Sequence, residues 1–166
     1  KVIFLFQPNQ YFVPIKILFL NFSRPTKNFL MKESYLHLIW RQKRLPLHEL
    51  RLTDGRSIQI LKTGWHNHDA GPDFFNGSIK VNELTWNGNI EIHVKSSDWY
   101  RHGHQNDKAY ENVILHVVLE HDKEVFINGE IIPTVELKEV LDYEHHEKYQ
   151  NLLLSKTWIP CENNLK

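Results

Sequence analysis

Two carboxylates and two nitrogen bases in the middle of the chain have the types and spacing to bind a divalent metal. Asp73 follows a Gly-Pro turn, and Glu91, His93 and Lys95 alternate with three aliphatic residues. Because side chains of a strand point alternately to its two faces, these three polar side chains share one face. Mg²⁺ and Mn²⁺ prefer oxygen ligands. We therefore predict a metal site with Asp73 and Glu91 as ligands, and with Lys95 or His93 to orient or deprotonate a bound water.

The same residues also have a purely structural interpretation. Asp73 would cap the Gly-Pro turn, while Glu91 and Lys95 would form a cross-strand ion pair on a solvated sheet face. Such charges are common on protein surfaces, so residue types alone leave both interpretations open.

Two histidine pairs provide an alternative metal site. His66 and His68 form one His-x-His pair, and His102 and His104 form another. In an extended segment this spacing lets two imidazoles point the same way, which suits Zn²⁺. His102 and His104 are also candidates for binding a substrate phosphate. His116 lies within an apolar run and is predicted to be a hydrogen-bonded core histidine.

Composition bounds the class of protein. The chain has 166 residues, of which 41% are hydrophobic, enough for one good core and too few for two comfortable domains. Lys and Arg (20) balance Asp and Glu (20), so no overall positive charge favours nucleic acid, although a local basic groove is compatible with this balance. The single cysteine, Cys161, cannot form an internal disulfide, and we expect a cytoplasmic protein.

Residues 1–30 differ from the rest of the chain in composition. They are rich in Phe, Ile, Leu and Asn and contain no Asp, Glu or Gly. Polar residues and prolines interrupt every apolar run before it reaches the roughly 20 residues of a membrane span. We expect a non-native or disordered leader, with an amphipathic anchor or a buried arm as the alternative. The remaining residues, 31–166, are expected to be one domain that begins at Met31 and is truncated at its C-terminus.

The hydrophobic pattern predicts a mixed α/β domain. A helix is expected over residues 33–43, with Ser34 as a cap and Pro46 as the stop, followed by strands at 57–61, 77–81 and 84–95. The turn between the last two lies at 82–83 or at 87–88; Asn87-Gly88 is the stronger hairpin signal, and a bulge at Gly88 is the alternative.

The second half of the domain continues this pattern. We predict a short helix at 107–111, a central strand at 113–119 covered on both faces, a hairpin around Asn128-Gly129, and a helix at 136–154. Together these elements describe a central mixed sheet flanked by helices.

Two long segments carry a resemblance. Residues 64–80 and 88–122 closely resemble an uncharacterised bacterial family, a domain of unknown function whose members share GPDF, EIHVKSSDW, HGH and NVILHVV. The resemblance extends over about residues 31–161. It implies a start at Met31 and a continuation beyond Cys161, and it implies no established activity.

A more distant resemblance concerns mechanism. The Pro-Asp and the later Glu, set on strands after a helix, look like the PD-(D/E)XK nuclease superfamily, which implies a restriction-endonuclease-like αβββαβ core. By this likeness Asp73 and Glu91 would bind the metal. The superfamily lysine normally lies two residues after the acid, where this chain has His93, and Lys95 keeps the face but not the spacing.

These observations lead to one functional expectation and two rivals. The expectation is a magnesium- or manganese-dependent phosphodiesterase that acts on nucleic acid. The rivals are a zinc-binding hydrolase built on the histidine pairs and a non-catalytic binding or scaffold module that retains a degenerate nuclease fold.

Overall fold

The computed structural model describes residues 31–154. Its first element is helix α1 (Glu33–Arg41), which buries Tyr35, Leu36, Ile39 and Trp40 on one side. No side chain caps its N-terminus, so Ser34 is not the cap. The helix also ends earlier than expected. It stops before Lys43, whose φ of +54° is incompatible with a continued helix, and so Pro46 is not its terminator.

One sheet organises the domain. Its strands in chain order are β1 (Ile58–Lys62), β2 (Trp65–His66), β3 (Phe74–Val81), β4 (Leu84–Lys95), β5 (Val113–Glu120) and β8 (Thr134–Glu136). The order across the sheet is β1-β3-β4-β5-β8, with β2 also paired to β3. The pairs β1–β3, β2–β3 and β3–β4 are antiparallel, whereas β4–β5 and β5–β8 are parallel. The sheet is therefore mixed, as the sequence predicted.

The turn between β3 and β4 lies at Asn82 and Glu83, where Asn82 adopts a φ of +53°. Asn87-Gly88, the stronger hairpin signal in the sequence, instead lies inside β4. A Cβ atom at Gly88 would be 2.5 Å from the backbone oxygen of Asn112. This glycine is needed for the close approach of the neighbouring chain, not for a turn.

Short elements follow β4 and surround its end. They are α2 (Asp98–Arg101), two 3₁₀ turns (His104–Asn106 and Lys108–Tyr110), and the hairpin strands β6 (Phe126–Ile127) and β7 (Glu130–Ile131). The second 3₁₀ turn takes the place of the helix predicted at 107–111. The hairpin was predicted correctly, because Asn128 and Gly129 both have positive φ.

The C-terminal prediction was too long. Residues 134–136 pair as β8, and helix α3 is confined to Tyr143–Leu154. The single helix predicted from the leucine and valine pattern therefore covers the end of a strand, a connection and a shorter helix. The predicted leader and the expected truncation at the C-terminus lie outside the described residues. Within residues 31–154, every helix is too short or too polar to cross a bilayer.

The two faces of the sheet have different surroundings. The large core cluster joins the buried side of α1 to Ile79, Ile90, Ile92, Leu115 and Val117. A second, smaller cluster is separate from the first and consists of Trp99, Tyr110, Val113, Val125 and Ile132. Because Ile90 and Ile92 belong to the α1 cluster, Glu91 and His93 point to the opposite face, towards α2 and the 3₁₀ turns.

Candidate metal centre

Strand β4 places Glu91 and His93 inside the protein. Their exposed fractions are 4% and 1%, whereas Lys95, at the end of the same strand face, is exposed. The solvated-face interpretation is therefore wrong for Glu91. Among the described residues, its ion-pair contacts are with His93 and His104, not with Lys95. Burial of a carboxylate is costly unless it is paired or binds a metal.

The segment after β4 returns two more histidines to His93. His102 ends α2, and His104 opens the first 3₁₀ turn. Gly103 between them has a φ of +78°, a conformation that favours glycine. Through this turn, the ring centroids of His102 and His104 come within 5.0 and 5.3 Å of the His93 ring.

The three imidazoles bring their ring nitrogens close together. One ligand atom from each of His93, His102 and His104 lies within 4.8 Å of the others, so the cluster could hold a metal ion. His93 Nε2 is 3.2 Å from His102 Nδ1 and 3.5 Å from Glu91 Oε1, and His104 Nε2 is 3.3 Å from the same oxygen. Tetrahedral Zn²⁺ with Zn–N distances of 2.0–2.1 Å separates its ligands by about 3.3 Å. The cluster is thus compatible with the zinc alternative.

His104 supplies a second indication of a cation-binding site. Its Nε2 is buried and has no hydrogen-bond partner among the described residues, although Glu91 Oε1 is close by. His104 Nε2 and Glu91 Oε1 are thus close together without being aligned for a mutual hydrogen bond. A buried polar atom left in this way calls for an explanation, and an ion bound by the cluster provides one.

Asp73 lies on the other side of Glu91. Its backbone N–H donates to Glu91 Oε2 at 3.0 Å, and its Oδ2 accepts from the N–H of Ile92 at 2.9 Å. Asp73 therefore bonds to β4 and does not simply cap its own turn. The structure places Asp73 next to Glu91, whereas the group of converging ligand atoms consists of the three histidines.

Sequence reasoning missed His37 and Glu33. His37 Nε2, from α1, is 3.1 Å from Asp73 Oδ2 and 4.0 Å from Glu33 Oε1. The available signal was the spacing of four between Glu33 and His37, which places both on one side of a helix. That spacing could not show which strand the pair would face.

A family model for proteins of unknown function (DUF2851) matches residues 33–166. The chain belongs to this family. The resemblance to a domain of unknown function is thereby confirmed. No curated protein and no solved structure matches the chain.

Burial and a neighbouring charge disfavour the ionised form of two acids at the site. Burial, followed by the charge of Asp73, raises the pKa of Glu91 to about 9. Burial, followed by the charge of Asp73, raises the pKa of Glu33 to about 7. A bound cation would stabilise the ionised form of these acids, because opposite charge favours ionisation.

The histidines of the site are held neutral. Burial, followed by the neighbouring His116 and His104, lowers the pKa of His93 to about 2. Burial is also the largest cause that lowers the pKa values of His102 and His104. Metal binding requires a deprotonated imidazole nitrogen, so these histidines have free lone pairs near neutral pH.

The other His-x-His pair remains apart from this cluster. The rings of His66 and His68 are 4.4 Å apart, and His66 lies 5.5 Å from the ring of His37. Within the part of the chain that the structure describes, neither histidine joins the converging group. Only the pair His102 and His104 therefore belongs to the cluster. Its third member is His93, which the sequence analysis had assigned to the acidic site.

Proposed function

We propose that this chain is a metal-dependent phosphodiesterase whose metal ion is bound by His93, His102 and His104, with Glu91 as the general base. The observation that carries the proposal is the convergence of three neutral imidazoles beside a buried carboxylate. Three imidazoles favour Zn²⁺ or a similar transition ion over Mg²⁺. A site with three protein ligands also leaves a position for water, as catalytic zinc sites do.

The arrangement supports a specific division of labour. A divalent ion held by the three histidines would lower the pKa of a bound water. Glu91 Oε1 is within 3.5 Å of the nitrogens of two of these histidines, and it would accept the proton of that water. The N–H of Asp73 holds the other oxygen of Glu91 and fixes its orientation. Water oxygen would then bond to phosphorus as the bond to the leaving oxygen breaks, and the proton would pass from Glu91 to that oxygen.

The proposed substrate is a phosphodiester bond in nucleic acid. This part of the proposal rests on the likeness to the PD-(D/E)XK superfamily. Apart from the short strand β2, the order is α1, β1, β3, β4, α2 and β5, with Asp73 just before β3 and Glu91 on β4. This order supports the restriction-endonuclease-like part of the proposal. His93 at the superfamily lysine position would make this a variant in which a histidine joins the metal ligands.

A second candidate is the magnesium- or manganese-dependent form with Asp73 and Glu91 as ligands. It is favoured by the contact between Asp73 and Glu91. Against it, the converging ligand atoms belong to three histidines, whereas a hard cation prefers several oxygen ligands.

Metal analysis and hydrolysis of bis(p-nitrophenyl) phosphate and DNA test the proposal. Wild type should carry about one zinc per chain and hydrolyse the diester. The double variant His102→Ala/His104→Ala should lose both properties, while the matched His66→Ala/His68→Ala variant should keep them. Hydrolysis that requires magnesium, survives loss of His102 and His104, and disappears in Asp73→Ala would favour the second candidate. If the wild type shows neither metal binding nor hydrolysis, that result would favour the scaffold rival.

A further inference from the structure

His116 is a histidine in the most buried strand of the sheet, directly behind His93. It is fully buried, and its Nε2 lies 2.8 Å from His93 Nδ1. In the parallel ladder of β4 and β5, His116 is the register partner of Glu91. The two histidine side chains therefore project from adjacent strands on the same face and form one buried hydrogen bond. That bond has one proton, and its direction depends on which nitrogen carries it.

The proposed metal centre determines this direction. His93 turns its Nε2 towards His102 Nδ1 and Glu91 Oε1, and so away from His116. A nitrogen that binds a metal carries no proton, and a neutral imidazole then carries its proton on the other nitrogen. His93 Nδ1 is accordingly the donor, and His116 Nε2 must be the acceptor.

We propose that His116 is a positioning residue of the metal centre: its Nε2 accepts the hydrogen bond from His93 Nδ1 and fixes the tautomer that presents His93 Nε2 to the metal. This inference rests on the proposed function and assigns a role to a residue outside the ligand set. Partners of this kind orient ligating histidines and increase their basicity.

The surroundings of His116 distinguish this role from ordinary core packing. The residues on either side of it in β5 are aliphatic, and its Nδ1 is buried with no hydrogen-bond partner among the described residues. An aliphatic side chain would avoid that unsatisfied atom, so packing alone does not favour histidine here.

Two substitutions separate hydrogen bonding from packing. His116→Gln keeps an oxygen that can accept from His93, whereas His116→Met has a similar bulk without a strong acceptor. In competition titrations with a chromophoric chelator, His116→Met should lose about 10–100-fold in zinc affinity. His116→Gln should retain most of it. His146→Met replaces another buried histidine, on α3, and should leave zinc affinity unchanged.

Long-range ¹⁵N NMR of the zinc-bound wild type reads the tautomer directly and should show His93 protonated at Nδ1. Thermal unfolding of the metal-free variants shows whether a loss of affinity merely follows a loss of folding. Zinc bound through His93 Nδ1, or equal affinity in wild type and a folded His116→Met, would overturn the inference and leave the metal centre intact. A wild type that binds no zinc would overturn both.

Discussion

Hydrogen bonds connect Asp73, just before β3, to Glu91 and its neighbour Ile92 on β4. The N–H of Asp73 donates to the Glu91 carboxylate at 3.0 Å, and the Asp73 carboxylate accepts from the N–H of Ile92, the residue after Glu91, at 2.9 Å. This exchange fixes the start of β3 against the middle of β4. It also places the negative charge of Asp73 near the buried Glu91 carboxyl group, where that charge disfavours ionisation of Glu91.

The first prediction concerns that electrostatic coupling. After burial, the charge of Asp73 is the largest cause that raises the pKa of Glu91. Asp73→Asn keeps an acceptor for the N–H of Ile92 but removes the charge, so the pKa of Glu91 should fall. Side-chain ¹³C NMR titration of the metal-free protein measures this change. Asp69→Asn, in the exposed loop before β3, is the control and should not alter it; an unchanged Glu91 pKa in Asp73→Asn would contradict the prediction.

The second prediction concerns the stability of the metal-free protein between pH 7 and pH 9. Burial and then Asp73 raise the pKa of Glu91 from 4.5 to about 9, so the folded state binds more protons than the unfolded state in this range. The free energy of unfolding should therefore fall as pH rises, by up to about 1.4 kcal/mol per pH unit from this group. His37 contributes in the same direction. Burial lowers its pKa, but the neighbouring Asp73 and Glu33 outweigh this effect, so the pKa of His37 is raised overall.

Urea unfolding at several pH values measures this slope. Glu91→Gln removes the titrating group and should flatten the decline, leaving the smaller share of His37. Saturating zinc should also flatten it, because a cation stabilises the ionised carboxylate. A decline as steep in Glu91→Gln as in wild type would show that Glu91 is not its source.

The sequence was most informative where the relevant interactions are local. Alternation along β4 correctly put Glu91 and His93 on one face, opposite Ile90 and Ile92, because that pattern depends only on strand geometry. The Asn128-Gly129 hairpin was also local. The buried, hydrogen-bonded state of His116 followed from its position in an apolar run.

Other features depend on packing between distant segments. The meeting of His93 with His102 and His104 requires the left-handed turn at Gly103 and the placement of α2 beside β4. The approach of His37 to Asp73 requires α1 to pack on the sheet at one rotation. Neither arrangement has a periodic signature, so the sequence indicated the residue types without showing which of them converge.

The third prediction separates Lys95 from the residues at the metal centre. Lys95 shares the strand face of Glu91 and His93, but its side chain is exposed, and the buried Glu91 is better placed to accept a proton. Lys95→Met should therefore change kcat/KM for a phosphodiester by less than about threefold, whereas Glu91→Gln should lower it by at least about 100-fold. Steady-state kinetics at matched zinc content gives both values. A loss in Lys95→Met as large as that in Glu91→Gln would return the catalytic lysine role to Lys95.

The last prediction tests why β4 contains Gly88. A Cβ atom at this position would be 2.5 Å from the backbone oxygen of Asn112 and 2.5 Å from Cγ2 of Ile114, and backbone cannot move aside as a flexible side chain can. Gly88→Ala should therefore destabilise the metal-free protein by about 1–3 kcal/mol. It should also weaken zinc binding, because Asn89 bonds to Asn112 at 2.8 Å immediately before the β4–β5 ladder that aligns Glu91 with His116.

Gly129→Ala is the matched control for this prediction. Gly129 has a φ of +86° in the β6–β7 hairpin, and a Cβ there would meet no atom within 4 Å. Its replacement should cost about 1–2 kcal/mol through backbone conformation alone and should leave zinc affinity intact. Urea unfolding and zinc titration of both variants separate the two effects. If Gly88→Ala were as stable as wild type and bound zinc equally well, the close approach of β4 and β5 would not be what positions the metal centre.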